Sequence, residues 1–251
     1  MSRRVVVALL GPVTWTPPGV DPARWRTALA EDVVDLLATL NEVETAVAVT
    51  ARDRWLADAV VWPGTQVYEV PEPTPNAVFA AVAAGRHTST TGEGQVDHDP
   101  ARAAAEGEDR SSAHEPVHAA VQGGAAIGDQ AHTGGYDQVA VVAADAPDVP
   151  GLTLGKLLRP LTTRPMAVAP VEGSGTGLLG VAARLPVPAW LPALDLDTSA
   201  PAEVRRAASS PGDVAVTAGW HRLRGPADLA ALDPAVEGWE ATRALLSGRP
   251  A

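Results

Sequence analysis

The feature that most constrains this chain is the apolar run Val139-Ala-Val-Val-Ala-Ala144, which stops at Asp145-Ala-Pro-Asp148. A run this short, rich in β-branched residues and bounded by turn formers, reads as a strand buried on both faces, the environment of a mostly parallel sheet. Pro147 has no N–H to give to a ladder and bars the strand from continuing. In open sheets of this kind ligands bind in the crevice outside the carboxyl ends of the strands. Asp145 and Asp148 fall at that edge. They suit a hard divalent cation shared with a phosphate-bearing substrate, since Mg2+ is usually held by one or two carboxylates plus phosphate oxygens. They also suit a plainer role, with Asp145 ending the strand or capping a helix that begins near Leu152.

The rest of the pattern sets that strand in a layered domain. Residues 4–10 read as a first strand, and Asp21-Pro22 offers an N-cap with proline at the first helical position. Trp25, Leu29, Val33, Leu36 and Leu40 then recur at spacings of three and four, marking one buried helix face. Further strands are read at 43–50, 66–70, 166–171, 178–183 and 214–217. Helices are read at 52–61, 76–84, 152–161, 202–208, 226–232 and 235–246. Strands alternating with helices predict an α/β fold, a three-layer α/β/α sandwich around a mostly parallel mixed sheet. Residues 85–134 break the pattern with eight acidic residues, three basic ones and no aromatic. Such a segment cannot bury enough apolar surface to offset the entropy of ordering it. It reads as a mobile insertion between the two parts of the domain, 1–84 and 135–218, and residues 219–251 read as a helical extension.

Composition narrows the function. With 251 residues, 46% of them hydrophobic, the chain can build one large core. A formal net charge of −11 argues against a nucleic-acid polymer as partner, because phosphate backbones are gripped by clustered Lys and Arg. Lys156 is the only lysine, so a P-loop is excluded. The absence of cysteine rules out disulfides and thiolate chemistry and is compatible with a reducing cytoplasm, the expected location. No window approaches the roughly 18 apolar residues needed to span a bilayer. The basic start followed by residues 5–10 reads as a strand rather than a signal segment.

Four further groups could carry chemistry. Gly173-Ser-Gly-Thr-Gly177 joins two predicted strands and would let backbone N–H groups, those of Gly175 and Thr176 among them, approach an anion or sugar. It equally suits a plain hairpin. Glu172 beside it would face the crevice of Asp145 if the strands share a sheet. Asp195 and Asp197 would lie on one face of an extended segment, with Leu194 and Leu196 on the other. Asp197 or Thr198 could instead cap a helix entered at Pro201. Gly11 opens a proline-rich loop, and Arg24 and Arg26 follow in the first turn of a helix, where cations oppose the dipole unless an anion docks there. Five of six histidines lie in the polar insertion, His114 and His118 at helical spacing. Without a Glu in the HExxH position they predict only adventitious metal binding.

These pieces resemble the nucleotide-diphosphosugar transferase superfamily, nearest to the 2-phospho-lactate and molybdenum-cofactor guanylyltransferases and to a bacterial glycosyltransferase-like family. Val141-Val-Ala-Ala-Asp145-Ala-Pro-Asp148 is similar to the segment whose first Asp holds Mg2+. Pro170-Val-Glu-Gly-Ser-Gly-Thr-Gly-Leu-Leu-Gly180 and Leu194-Asp-Leu-Asp-Thr198 resemble the two motifs that follow. The resemblance implies Mg2+ or Mn2+ on Asp145, shared with Asp197, and catalytic roles for Asp145, Asp148 and Glu172. It implies a nucleotide or nucleotide-sugar held by Gly11, Arg24, Arg26, Asn76, Gly175 and Thr176, and a small-molecule acceptor. The spacing of Leu229, Leu232, Val236 and Trp239 in the C-terminal extension would lay an apolar stripe either on the body or, in a homodimer, on a second subunit. Attack on an α-phosphorus would give nucleotidyl transfer; attack on an anomeric carbon would give glycosyl transfer. The loop from Gly11 to Gly19 lacks the family's Lys, so either Arg24 and Arg26 replace that grip or the chain is a catalytically degenerate relative that binds a nucleotide or a protein.

Overall fold

The structure, a computed structural model, describes residues 2–85, 88–89 and 135–248. The expectation of a mobile insertion over 85–134, with its five histidines, falls almost wholly outside them. Eight strands form one mixed sheet in the order β4-β3-β2-β1-β5-β7-β6-β8. They are β1 (Arg4–Leu9), β2 (Glu44–Val49), β3 (Gln66–Glu69), β4 (Thr88–Ser89), β5 (Gln138–Ala143), β6 (Met166–Pro170), β7 (Leu178–Arg184) and β8 (Val214–Val216). The neighbours β1/β2, β2/β3, β1/β5 and β6/β8 run parallel, whereas β3/β4, β5/β7 and β6/β7 are antiparallel.

Alternation along β1 divides the core between the two faces of the sheet. Val6, Ala8 and Leu10 point to one side, where they meet α1 (Pro22–Ala38), α2 (Arg54–Val60) and α4 (Gly151–Leu158). Val5, Val7 and Leu9 point to the other, against α3 (Pro75–Ala83) and α5 (Pro201–Ala207). The result is the expected three-layer α/β/α sandwich. Local chemistry starts the helices where the sequence places them. The Asp21 side chain accepts the Arg24 N–H at 2.9 Å ahead of Pro22, and Thr74 accepts the Ala77 N–H at 3.3 Å ahead of Pro75. Pro150 precedes α4, which has no side-chain cap, so Asp145 is not a helix cap.

The C-terminal part is less helical than its spacing predicts. Residues 226–231 form a 3₁₀ segment, and α6 is confined to Glu240–Leu246. Gly238, with φ of 95°, breaks the helical path just before Trp239. A third, smaller core lies under this extension: Trp25, Leu29 and Leu223 are buried together, with Val13, Trp15, Val20, Leu229, Leu232 and Leu245 packed around them. Among the described residues no helix is long and apolar enough to cross a membrane.

Candidate active-site cleft

The sheet has a topological switch at β1. The chain leaves β1 towards β2 and β3, then returns to β5 on the other side of β1. Connections diverge there and leave a crevice at the carboxyl ends of the two strands. A cleft occupies that place, lined by Leu9, Gly11, Pro12 and Val13 after β1 and by Ala143, Ala144 and Asp145 after β5. Pro73, Asp195, Leu196, Asp197 and Arg222 close it.

Arg222 dominates the floor. Its Nε lies 2.5 Å from Asp145 Oδ1 and its Nη2 2.9 Å from Oδ2, the bidentate geometry that matches a guanidinium fork to a carboxylate. Nη1 donates to the Leu178 and Leu196 carbonyls at 3.2 and 2.8 Å. Nη2 also makes an ion pair with Asp197 Oδ1 at 2.8 Å, off the axis of a well-aligned hydrogen bond. Burial works against the charge on Arg222, but Asp145 and then Asp197 outweigh it, so the guanidinium pKa lies above its usual range.

The segment that delivers Arg222 is stitched to the sheet on both sides. Trp220 pairs with Val171 beyond the end of β6, its carbonyl accepting the Glu172 N–H at 3.0 Å. Gly219 is required there, because a Cβ would stand 2.3 Å from the Pro170 carbonyl oxygen. Asp148 is fully buried and receives Trp220 Nε1 at 3.1 Å and His221 Nε2 at 2.9 Å. The Leu223 N–H donates to the Asp145 carbonyl at 2.8 Å, while its side chain enters the small third core. That core also fixes the wall of the cleft, since Trp25 Nε1 donates to the Trp15 carbonyl at 3.0 Å.

Asp197 is aimed by a turn rather than by the expected extended segment. Asp195 Oδ1 accepts the N–H groups of Asp197 and Thr198 at 2.8 and 2.9 Å. Leu178 N–H, at the start of β7, donates to the Leu196 carbonyl at 2.7 Å. The alternation survives in altered form, with Leu194 and Leu196 buried and Asp195 exposed. Neither Asp197 nor Thr198 caps α5 (Pro201–Ala207), whose N-cap residue is Ala200, its N–H donating to Glu203 at 3.1 Å.

Solved structures share this architecture. A protein from Desulfovibrio desulfuricans G20 assigned as a nucleotide-diphospho-sugar transferase aligns over 98% of this chain and 96% of its own, with 14% identity and a TM-score of 0.51. The 4-diphosphocytidyl-2C-methyl-D-erythritol synthase of Anaerococcus prevotii aligns over the same shares, with 9% identity and a TM-score of 0.50. The fold is that of the nucleotide-diphospho-sugar transferases. No family model matches the chain, and no curated protein matches it in sequence.

Within this transferase fold the residues expected at the site separate. Gly11, Asp145 and Asp197 line the cleft. Arg26 faces an adjoining cleft beyond Pro12 and Pro73, paired with Asp53 at 2.8 Å and bonded to the Gly11 carbonyl at 3.3 Å. Arg24 is exposed. Both polar ends of Asn76 are taken by backbone, its amide nitrogen by the Pro192 carbonyl at 3.0 Å and its oxygen by the Leu194 N–H at 2.8 Å, so it anchors the loop leading to Asp195. Glu172, Gly175 and Thr176 are exposed in the β6–β7 turn and are not among the cleft residues. Asp148 lies behind the cleft, held by Trp220 and His221. As they stand, Asp145 and Asp197 do not fit a divalent ion, because Arg222 holds the oxygens that would bind it. Among the described residues no group of three His, Cys, Asp or Glu side chains could hold a metal.

Sequence reasoning missed Arg222. The available signal was Trp220-His-Arg-Leu-Arg224 between Gly219 and Gly225, a basic stretch in an acidic chain.

Proposed function

We propose that this protein binds a nucleotide or nucleotide-sugar in the cleft at the ends of β1 and β5, and that its chemistry is of the nucleotidyltransferase type, with a small-molecule acceptor. The observation that carries the reading is the cleft at the topological switch point, lined by Gly11, Pro12 and Val13 on one side and by Asp145, Asp197 and Arg222 on the other, in a transferase fold. Gly11 brings backbone close to a ligand, and Arg26, in the adjoining cleft, and Arg224, whose Nη1 lies 3.9 Å from Asp197, are the cations beside it for a phosphate. Mg2+ or Mn2+, implied by the resemblance, does not fit the carboxylates as arranged around Arg222. The chain's own residues act by positioning: a rigid pocket holds the two reactants together, which lowers the entropic part of the barrier.

The test is a thermal-shift panel of nucleoside triphosphates and nucleotide-sugars at ~1 mM, a concentration at the upper end of ordinary KM values, with and without Mg2+. At least one compound should raise the melting temperature of the wild type. The shift should vanish in Gly11→Phe, whose Cβ would sit an unstrained 3.7 Å from Pro73 while the ring fills the cleft. A shift that survives in Gly11→Phe would move the ligand elsewhere.

The second reading is a relative that binds the ligand without turnover. Occupation of Asp145 and Asp197 by Arg222 favours it, as does the missing lysine in the loop after β1. Binding without product formation from any nucleotide and acceptor pair would select it.

A further inference from the structure

The oxygen atoms around Arg222 form an unusual set. Asp145 contributes both carboxylate oxygens, Asp197 one, and Leu178 and Leu196 a backbone carbonyl each. All five are hard oxygen donors, and they converge from three separate segments on one buried point. Carboxylates in mono- or bidentate mode combined with backbone carbonyls are the ligand type that holds Ca2+, which tolerates irregular geometry better than Mg2+ does. What stands at that point instead is a guanidinium. It carries one positive charge against two carboxylates, the second of which also has Arg224 Nη1 at 3.9 Å, and every nitrogen of its planar fork faces a protein oxygen.

We infer that Arg222 is the resident cation of this cleft: it keeps divalent ions off Asp145 and Asp197, and its removal uncovers a metal site. Two physical points carry this. First, a divalent ion cannot share the pocket with a guanidinium whose nitrogens already lie 2.5 to 3.2 Å from those oxygens. Second, taking away Arg222 leaves Asp145 with no cation and Asp197 with only Arg224, whose Nη1 lies 3.9 Å from Asp197 Oδ1, so two carboxylates and two carbonyls face one another with too little positive charge between them unless a cation returns. Arg222 has no counterpart role in gripping phosphate, because a guanidinium has five N–H groups, and four of them donate to Asp145, Leu178 and Leu196 while Nη2 also contacts Asp197. The inference does not depend on the nucleotide reading, since it concerns metal alone.

The experiment is calorimetric titration and thermal shift of chelator-treated full-length protein with Ca2+, Mn2+ and Mg2+, with no nucleotide present. Wild type should show no divalent binding that depends on Asp145, with Asp145→Asn as the control that removes any contribution from histidines elsewhere in the chain. Divalent binding to the wild type that Asp145→Asn abolishes would overturn the inference. Arg222→Ala should gain a site, Ca2+ or Mn2+ raising its melting temperature by about 5 °C or more, with a smaller effect of Mg2+. The gain should be absent from the double variant Arg222→Ala/Asp145→Asn, in which the charge imbalance is relieved. Arg222→Lys, which keeps the positive charge, should show no divalent binding that depends on Asp145. If Arg222→Ala folds only when Ca2+ or Mn2+ is supplied, the inference is supported; if it folds and ignores both ions, the inference is wrong. Should no Arg222 variant fold, the wild-type titration still decides whether the guanidinium closes the site.

Discussion

A guanidinium buried against two carboxylates is held by geometry, and the cost of disturbing it follows from what each partner is left facing. Truncating one member of such a cluster strands a charge, typically at about 3–5 kcal/mol, whereas removing the cluster as a whole costs much less. Asp145→Ala and Arg222→Ala should each lower stability by that order, and the double variant should be little worse than either single one. Urea denaturation of the four proteins in a double-mutant cycle measures the coupling. Additive losses would show that the two side chains act independently and that the short contacts carry little energy. Asp145 was legible in the sequence as a carboxylate at a strand end, because hydrophobic period and proline mark that end unambiguously. Its partner was not, since the pairing spans segments 77 residues apart with no shared pattern.

At the scale of elements, two of the points that fasten the extension to the body differ in their chemistry. One is Gly219, where backbone approaches backbone. Gly219→Ala should detach the segment from β6 and lower the melting temperature by several degrees, roughly a 1–3 kcal/mol overpacking cost; an unchanged melting curve would show that the segment shifts freely. The other is Asp32 in α1, nearly fully buried, whose carboxylate receives the N–H groups of Ala241 and Thr242 at 3.0 and 2.9 Å. Burial raises its pKa from 3.8 to about 6 despite those amides. The folded chain therefore keeps this proton while the unfolded chain releases it, and the contribution of Asp32 to stability falls as pH rises from about 4 to about 6, then levels off. The total is on the order of 3 kcal/mol. Comparing wild type with Asp32→Asn by denaturation at pH 4 to 7 tests this. The difference should move in favour of the asparagine variant across that window, and a difference independent of pH would mean that the amides keep the carboxylate at its ordinary value. The helix pair itself was only partly legible: helices are predicted over 226–232 and 235–246, and Leu229 and Leu232 do pack on the third core, but Gly238 confines the second helix to Glu240–Leu246.

At the scale of the whole molecule, the layers could be read from the sequence because each strand and helix announces itself by a local period. The site could be read only by half, since a cleft at a topological switch depends on strand order, and strand order follows from pairings that no single window contains. Asn76 shows the limit well. Its type and position suggested ligand contact, yet its two ends are consumed by a loop more than 100 residues away. Removing residues after Thr217 should therefore do more than trim a tail. It would expose Trp25 and Leu29 and leave Asp145 and Asp148 without their partners, so the truncated chain should be recovered as aggregate or lose its cooperative transition by circular dichroism. A folded, cooperative product would show that the sheet sustains its acidic edge alone.

The stitching of residues 219–224 across the ends of β5, β6 and β7 also bears on time. A contact that closes so long a stretch of chain must first meet the entropy of loop closure, so it is expected late in folding, after the sheet that it crosses. Interactions absent from the folding barrier act on escape from the native state. Arg222→Ala and Gly219→Ala should then accelerate unfolding in a chevron experiment while leaving the refolding limb nearly unchanged. The segment would act as a latch that sets the lifetime of the native state and has little influence on how quickly that state is reached.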